Sequence, residues 1–245
     1  MYNPNHVALA PALTDRFPEM KERPIAGYKF LHSTDLHFWL EELTVKIDNL
    51  YSYSKMESKG GVSDPLEIKI KEFTVTVDHS EAPQSELAVR NLATFGFKLE
   101  HLSGFTFKCP DVIRKNRSLY CISRSLNKEI FQKWRETEGY DTVIKINDLV
   151  EFATSIQIAD YHGNKRFPSM AILDCVEYAD MPLDLHKVDI TTYKFFKEKS
   201  SFEWQDELRL TWDDTPDNDS PPLIMHIPDL ADLFEVVTIP QDWLT

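Results

Sequence analysis

Glu207 and Arg209 stand two residues apart in the stretch from 193 to 212, YKFFKEKSSFEWQDELRLTW. There Gln205, Glu207, Arg209 and Thr211 alternate with Leu208, Leu210 and Trp212, a period of two that predicts a half-buried strand. Every second side chain of a strand shares a face, so the carboxylate and the guanidinium point the same way. Two readings follow. One is an ion pair on a solvated face. The other is a carboxylate projecting into a cleft, held by Arg209 or a neighbour.

Two further stretches carry residues suited to a site. In Tyr28-Lys29-Phe30-Leu31-His32-Ser33-Thr34, a strand ends on an imidazole and a hydroxyl, and element ends commonly build sites. The plainer reading makes Ser33 or Thr34 a helix cap and His32 a packed strand end. In Ser118-Leu119-Tyr120-Cys121-Ile122-Ser123-Arg124-Ser125, an aromatic ring beside hydroxyls and an arginine suits nucleotide recognition. Here the plainer reading is a core Tyr120 with Ser123 and Ser125 as turn residues. Cys121 sits among apolar neighbours and reads as a small buried hydrophobe. The eight histidines form no HxxxH or HExxH, so no metal site is expected, and no GxSxG elbow suggests a serine hydrolase.

Composition narrows the class. The 245 residues are 42% hydrophobic and 27% charged, as in a soluble globular chain. Only 7 glycines, in neither the Rossmann nor the P-loop pattern, argue against both nucleotide folds. A net charge of −13 disfavours unspecific binding to duplex DNA or an anionic membrane. Three widely spaced cysteines, Cys109, Cys121 and Cys175, predict reduced thiols. The first residues lack a basic, then apolar, leader, and no apolar run reaches the roughly 18 residues of a membrane span. The expectation is a cytoplasmic protein with no membrane partner.

The elements that must position these residues read in order as follows. Residues 1–26 carry four prolines and predict an extended N-terminal arm. A strand at 28–32 precedes a helix over STDLHFWLEEL, then β-rich TVKIDNLYSYSK, a turn at Lys59-Gly60-Gly61 and a helix start at Asp64-Pro65. Strands are predicted over EFTVTVDH, LSGFTFKC and RSLYCIS, with a helix from Pro83 to about Phe95. A helix over LNKEIFQKWRETEG stops at Gly139. The strand DTVIKI leads to a helix LVEFATSIQIA capped by Asn147 or Asp148. Strands at MAILDCVEY, HKVDITTY, LIMHI and EVVTI, with a short helix PDLADLF, complete the chain. This irregular interleaving predicts one α+β domain over 27–245, a single mixed or antiparallel sheet with flanking helices.

Three pieces resemble a large uncharacterised bacterial family found among phage-defence and mobile-element genes. Ser63-Asp64-Pro65-Leu66-Glu67 matches its Asn-Asp-Pro turn, Tyr120-Cys121-Ile122-Ser123 its CFS strand, and Trp204-Gln205-Asp206-Glu207-Leu208-Arg209 its Tyr-Glu-x-Glu-x-Arg strand. That resemblance implies a toxin or antiviral-defence setting. The order of motifs also resembles the ADP-ribosyltransferase fold, whose His-Tyr-Glu branch begins on a strand like Phe30-Leu31-His32-Ser33-Thr34. Ser33 stands where that branch has glycine, and His32 to Tyr120 is a long interval. The resemblance implies NAD as substrate, Glu207 as catalytic carboxylate, and NAD binding by His32, Ser33, Tyr120, Ser123 and Arg209. In it His32 holds the adenosine-side ribose and Tyr120 stacks on nicotinamide. It further implies a macromolecular acceptor, protein or nucleic acid, and a protein partner such as an antitoxin. The alternatives are an inert binding module of the same fold and a phage-related nuclease.

Overall fold

The computed structural model describes residues 7–22, 24–55, 69–70, 73–77, 90–91, 93, 105–109, 112–113, 116–163, 167, 170–179, 195–214 and 216–244. Its strands are β1 (Ala8–Leu9), β2 (Gly27–Leu31), β3 (Thr44–Asn49), β4 (Lys69–Ile70), β5 (Phe73–Val77), β6 (Phe105–Cys109), β7 (Val112–Ile113), β8 (Ser118–Ser123), β9 (Thr142–Ile146), β10 (Ile172–Cys175), β11 (Glu177–Ala179), β12 (Phe196–Glu198), β13 (Glu207–Thr211), β14 (Leu223–His226) and β15 (Phe234–Val236). The architecture is α+β, a curled mixed sheet with several helices. Nine strands form that sheet in the order β1-β10-β13-β8-β2-β9-β15, with β3 attached to β8 and β14 to β3. Its neighbours run antiparallel, except that β1 lies parallel to β10.

The centre of this sheet is split. Along one edge β8 pairs with β13 from Leu119 to Ser123. Along the other edge Ser123 pairs with Tyr28 of β2, while Leu119 and Ser118 pair with Asp48 and Asn49 of β3. Between these anchors, Tyr120 to Ile122 pair with neither strand. β2 stays on β9 throughout its length, and beyond Tyr28 no strand among the described residues pairs with its other edge. Gly27 permits the crossing that starts this divergence. A Cβ there would lie 2.5 Å from Ile122 Cγ2 and 3.1 Å from Leu149, closer than packed side chains allow.

Helices fix the two faces. The helix Leu149–His162 lays Phe152, Ala153 and Ile156 against Tyr120, Ile122, Leu208, Leu210 and Trp212 in the main core. Asp148 caps it, accepting from the Val150 N–H at 2.9 Å. The helix Lys128–Glu138 packs Ile130 and Phe131 on Phe30 and Val143. Its C-terminal stop is the one predicted, Gly139 at φ 78°, a left-handed turn suited to glycine; it begins at Lys128 rather than Leu126, where the Asn127 side chain accepts from the Ile130 N–H at 2.9 Å.

Several predicted elements differ from those observed. The described part of the expected N-terminal arm is folded rather than extended. It contributes β1, the helix Pro11–Arg16 and a 3-10 turn at Pro18–Lys21, and it buries Ala12, Leu13, Met20 and Ile25 in the main core. Pro11 and Pro18 each stand at a first helical position, where proline starts helices rather than blocking them. The β-rich segment after Leu43 is β3 followed by a helix, Leu50–Lys55. Leu230–Asp232 is only a 3-10 turn. The Lys59-Gly60-Gly61 turn, the Asp64-Pro65 helix start, the Ser63–Glu67 motif, most of the 83–95 helix and the HKVDITTY strand lie outside the described residues. No helix among the described residues is long and apolar enough to cross a membrane.

Candidate functional site

A cavity of about 640 Å³ opens at the split between β2 and β3, within the size range of small-molecule sites. Side chains from both faces of β2 line it, Tyr28 and Phe30 with Lys29 and Leu31, because it wraps around that strand's edge away from β9. Tyr120, Cys121 and Ser123 of β8 and Glu207 and Arg209 of β13 form its floor. Trp134 and Tyr140 wall one side, Asp48 and Tyr53 another.

Glu207 is the best-anchored group. Arg209 Nε donates to its Oε1 at 2.6 Å, and Lys197 Nζ lies 2.8 Å from its Oε2. Lys197 also donates to Gln205 Oε1 at 2.9 Å. All four side chains are buried. Charges so placed need hydrogen-bonded partners, because burial penalises each ion alone. The strand begins at Glu207 because Asp206 turns the chain in a left-handed conformation, φ 46°. That turn is tied to β8: the Asp206 carbonyl accepts from the Arg124 N–H at 2.8 Å, and its carboxylate accepts from Arg124 Nε at 3.1 Å and from the Ser125 hydroxyl.

The solvated-face reading of Glu207 and Arg209 is therefore corrected. The ion pair exists, but both faces of β13 are covered, and every residue from Glu207 to Thr211 is buried. Sequence alternation gives the two faces; it does not say that β12 will bring Lys197 over the polar one.

Lys29 fills the split. Its Nζ donates to the Cys121 carbonyl at 3.0 Å and sits 4.8 Å from the Tyr120 ring centroid. Burial lowers its pKa below the ordinary lysine value, with Cys121 and Glu207 acting in the opposite sense. Burial likewise pushes the Tyr120 and Tyr53 hydroxyls well up. The Cys121 thiol is pushed up by burial first and by the Glu207 charge next, and it donates to that carboxylate. A protonated thiol is a poor nucleophile; Cys121 is half-buried and lines the cavity, not the fully buried group expected.

The residues singled out in the sequence divide into two sets. Tyr120, Ser123, Glu207 and Arg209 share the cavity. His32 and Ser33 do not line it. The N–H and hydroxyl of Ser33 donate to the Asp141 carboxylate at 2.6 and 2.9 Å; this bond holds the chain on the exposed surface, and Ser33 caps no helix. His32 is exposed and packs edge-on to Tyr140 at 5.0 Å between centroids, with Tyr140 between it and the cavity. Tyr120 is 2% exposed, its ring lying against Lys29 on one side and 5.4 Å from the Phe152 ring. It offers no open face for stacking on nicotinamide. The Ser123 hydroxyl is committed to the Gln205 and Ser125 carbonyls at 2.7 and 3.0 Å.

Lys29, Lys197, Asp48 and Tyr53 are site residues that sequence reasoning passed over. Lys29 carried a signal: it is a lone cation inside the strand Tyr28–Leu31. Lys197 lies within a basic-aromatic run where nothing separates it from Lys194 and Lys199. Among the described residues no cluster of three or more His, Cys, Asp or Glu side chains is placed to hold a metal ion. No family model matches the chain, and neither a curated protein nor a solved structure is found similar to it.

Proposed function

We propose that the cavity binds a nucleotide of the NAD class and that the protein is an ADP-ribosyltransferase-like enzyme of that fold, acting on a macromolecular acceptor. The observation that carries this reading is the gathering of Tyr120, Ser123, Glu207 and Arg209 with Lys29 and Lys197 around one aromatic-walled cavity. The cations suit a pyrophosphate. Trp134 and Tyr140 suit a base or nicotinamide ring, the role Tyr120 cannot fill. In the reaction the ribose C1′–nitrogen bond breaks, nicotinamide leaves, and the acceptor's nucleophile bonds to C1′ and loses its proton. Positive charge develops on the ribose, as in glycoside cleavage. Glu207, fixed in direction by Arg209 and Lys197, retains lone pairs for a sugar hydroxyl and adds negative charge beside that ribose. His32 and Ser33 have no part in this version. A toxin or defence role, with an antitoxin-like protein partner, belongs to the same proposal.

One observation favours a second reading, an inert nucleotide-binding module. Both Glu207 oxygens already hold cations, which offsets the charge an oxocarbenium would feel. One measurement tests both readings and a second separates them. NAD at millimolar concentration raises the melting temperature under either one, because a ligand bound only by the folded state stabilises it. Release of nicotinamide from labelled NAD, with ADP-ribose transferred to protein or nucleic acid, is expected of the enzyme alone. Absence of any NAD-dependent thermal shift overturns both.

A further inference from the structure

We propose that the split in the sheet is a phosphate-binding subsite whose donors are the Lys29 ammonium and the Tyr120 hydroxyl, a deepening that rests on the nucleotide reading above. Its basis is an account of which polar groups around the cavity are already used. Among acceptors, Glu207 Oε1 takes Arg209, Glu207 Oε2 and Gln205 Oε1 take Lys197, and the Cys121 carbonyl takes Lys29. Asp48 accepts from the Asn49 N–H at 2.9 Å and lies 3.2 Å from Lys46 Nζ. Asp35, half-buried, and Glu42, exposed, also line the cavity, and Glu42 faces His37 at 3.7 Å.

Donors remain over. An ammonium has three, and Lys29 uses one of them, on Cys121. The Tyr120 hydroxyl and the Trp134 indole N–H are buried with no hydrogen-bond partner among the described residues. Both residues line the cavity. A phenylalanine would pack on Phe152 as well as Tyr120 does, without leaving a buried hydroxyl unmet. A surplus of donors around a cation asks for a ligand rich in acceptors and negative charge.

The charges agree with this account. Arg209 and Lys197 share Glu207, and Lys46 faces Asp48. No carboxylate among the described residues lies within ion-pair distance of Lys29. It stands in the gap where β8 has lost its neighbour strand, beside the Tyr120 ring, whose buried hydroxyl has no hydrogen-bond partner among the described residues. A phosphate oxygen there would take up both donors, and charge-assisted bonds of this kind are the strong ones.

The test measures binding of inorganic pyrophosphate, ADP-ribose and nicotinamide riboside to the full chain by calorimetry, with NAD titrated alongside as the reference ligand. The variants are Lys29→Gln, Lys29→Arg and Tyr120→Phe. The wild type is expected to bind pyrophosphate and ADP-ribose. Lys29→Gln should weaken both by about tenfold or more and Tyr120→Phe by severalfold, as expected for hydrogen bonds to a charged group. Lys29→Arg should retain pyrophosphate, and it carries the test if Lys29→Gln does not fold. Nicotinamide riboside, which carries no phosphate, should respond to none of them. Equal weakening of all three ligands, or of none, overturns the subsite. NAD binding with no dependence on Lys29 removes the subsite and leaves the nucleotide reading standing. Lys29-dependent pyrophosphate binding without NAD binding does the reverse, and a wild type that binds nothing overturns both.

Discussion

The two faces of β13 are buried equally and by opposite means. On one, Leu208, Leu210 and Trp212 meet the helix Leu149–His162 in the main core. On the other, Glu207 and Arg209 meet Lys197 and Gln205 beneath a cavity. The first face is held by area removed from water and by close packing, so each side chain contributes largely on its own. The second is held by groups that are tolerable only together, because each charge is desolvated and would be costly without its partner. Two faces of one five-residue strand thus have different rules of failure. The polar one is the face a ligand can use.

Truncation on the apolar face should have the largest effect. Phe152→Ala removes a ring in contact with Tyr120 and Trp39 and is expected to cost about 3–5 kcal/mol, measured by urea unfolding. No second change nearby should restore it, short of refilling the volume. On the polar face, Glu207→Gln is expected to cost about 3 kcal/mol, since it leaves Lys197 and Arg209 buried without their carboxylate. This exceeds the roughly 0–1 kcal/mol of an exposed pair. Adding Lys197→Met should recover part of the loss, because it removes one of the stranded charges. Additive costs in that double variant would show that the polar face obeys the same rule as the apolar one, and the comparison would collapse.

Much of this division was legible in the sequence. Alternation at 207–211 separates the faces, and the helix ends at Asp148 and Gly139 follow from local chemistry that acts within one turn of helix. Ser123, Glu207 and Arg209 share a face because β8 and β13 are adjacent and in register, which strand-forming sequences can suggest, whereas Tyr120 pairs with Leu210 on the apolar face. What the sequence withheld depends on distant geometry. Lys197 arrives on β12, reversed onto β13 through the short helix Lys199–Phe202. Lys29 becomes a site residue only because β2 and β3 part company along β8. His32 looked like a site residue by type and position, yet Asp141, a residue 108 positions from Ser33, draws that turn to the surface.

The divergence itself is open to a smaller perturbation. Gly27→Ala places a methyl 2.5 Å from Ile122 Cγ2, on the strand crossing where the split starts. Overpacking of this kind is expected to cost about 1–3 kcal/mol. If the crossing sets the width of the split, affinity for a cavity ligand should fall as well, while Ile122→Val in the same background should restore part of both. Lost stability with unchanged binding would assign Gly27 to the apolar core alone.

The smallest effect separates the two sides by pH. Cys175 pairs with Leu208 in register and belongs to the main core, where burial, with Asp174 next, pushes its thiol from 9.0 up to about 11. Tyr140 walls the cavity, and burial, with Glu138 and Asp35 next, pushes its hydroxyl from 10.0 to about 12. Both are acids with raised folded values, so between the unfolded and folded pKa the unfolded chain has lost a proton that the folded one keeps. That difference favours unfolding. Stability from Cys175 is therefore complete below pH 9 and declines up to about pH 11, and that from Tyr140 declines between pH 10 and about 12. Cys175→Ala should flatten the first part of the alkaline decline in melting temperature, and Tyr140→Phe the second. The baseline cost of each substitution is the same at every pH, so only the slope is diagnostic. An alkaline slope that neither substitution alters would mean that these two groups are not shielded as their positions on the two sides of the sheet require.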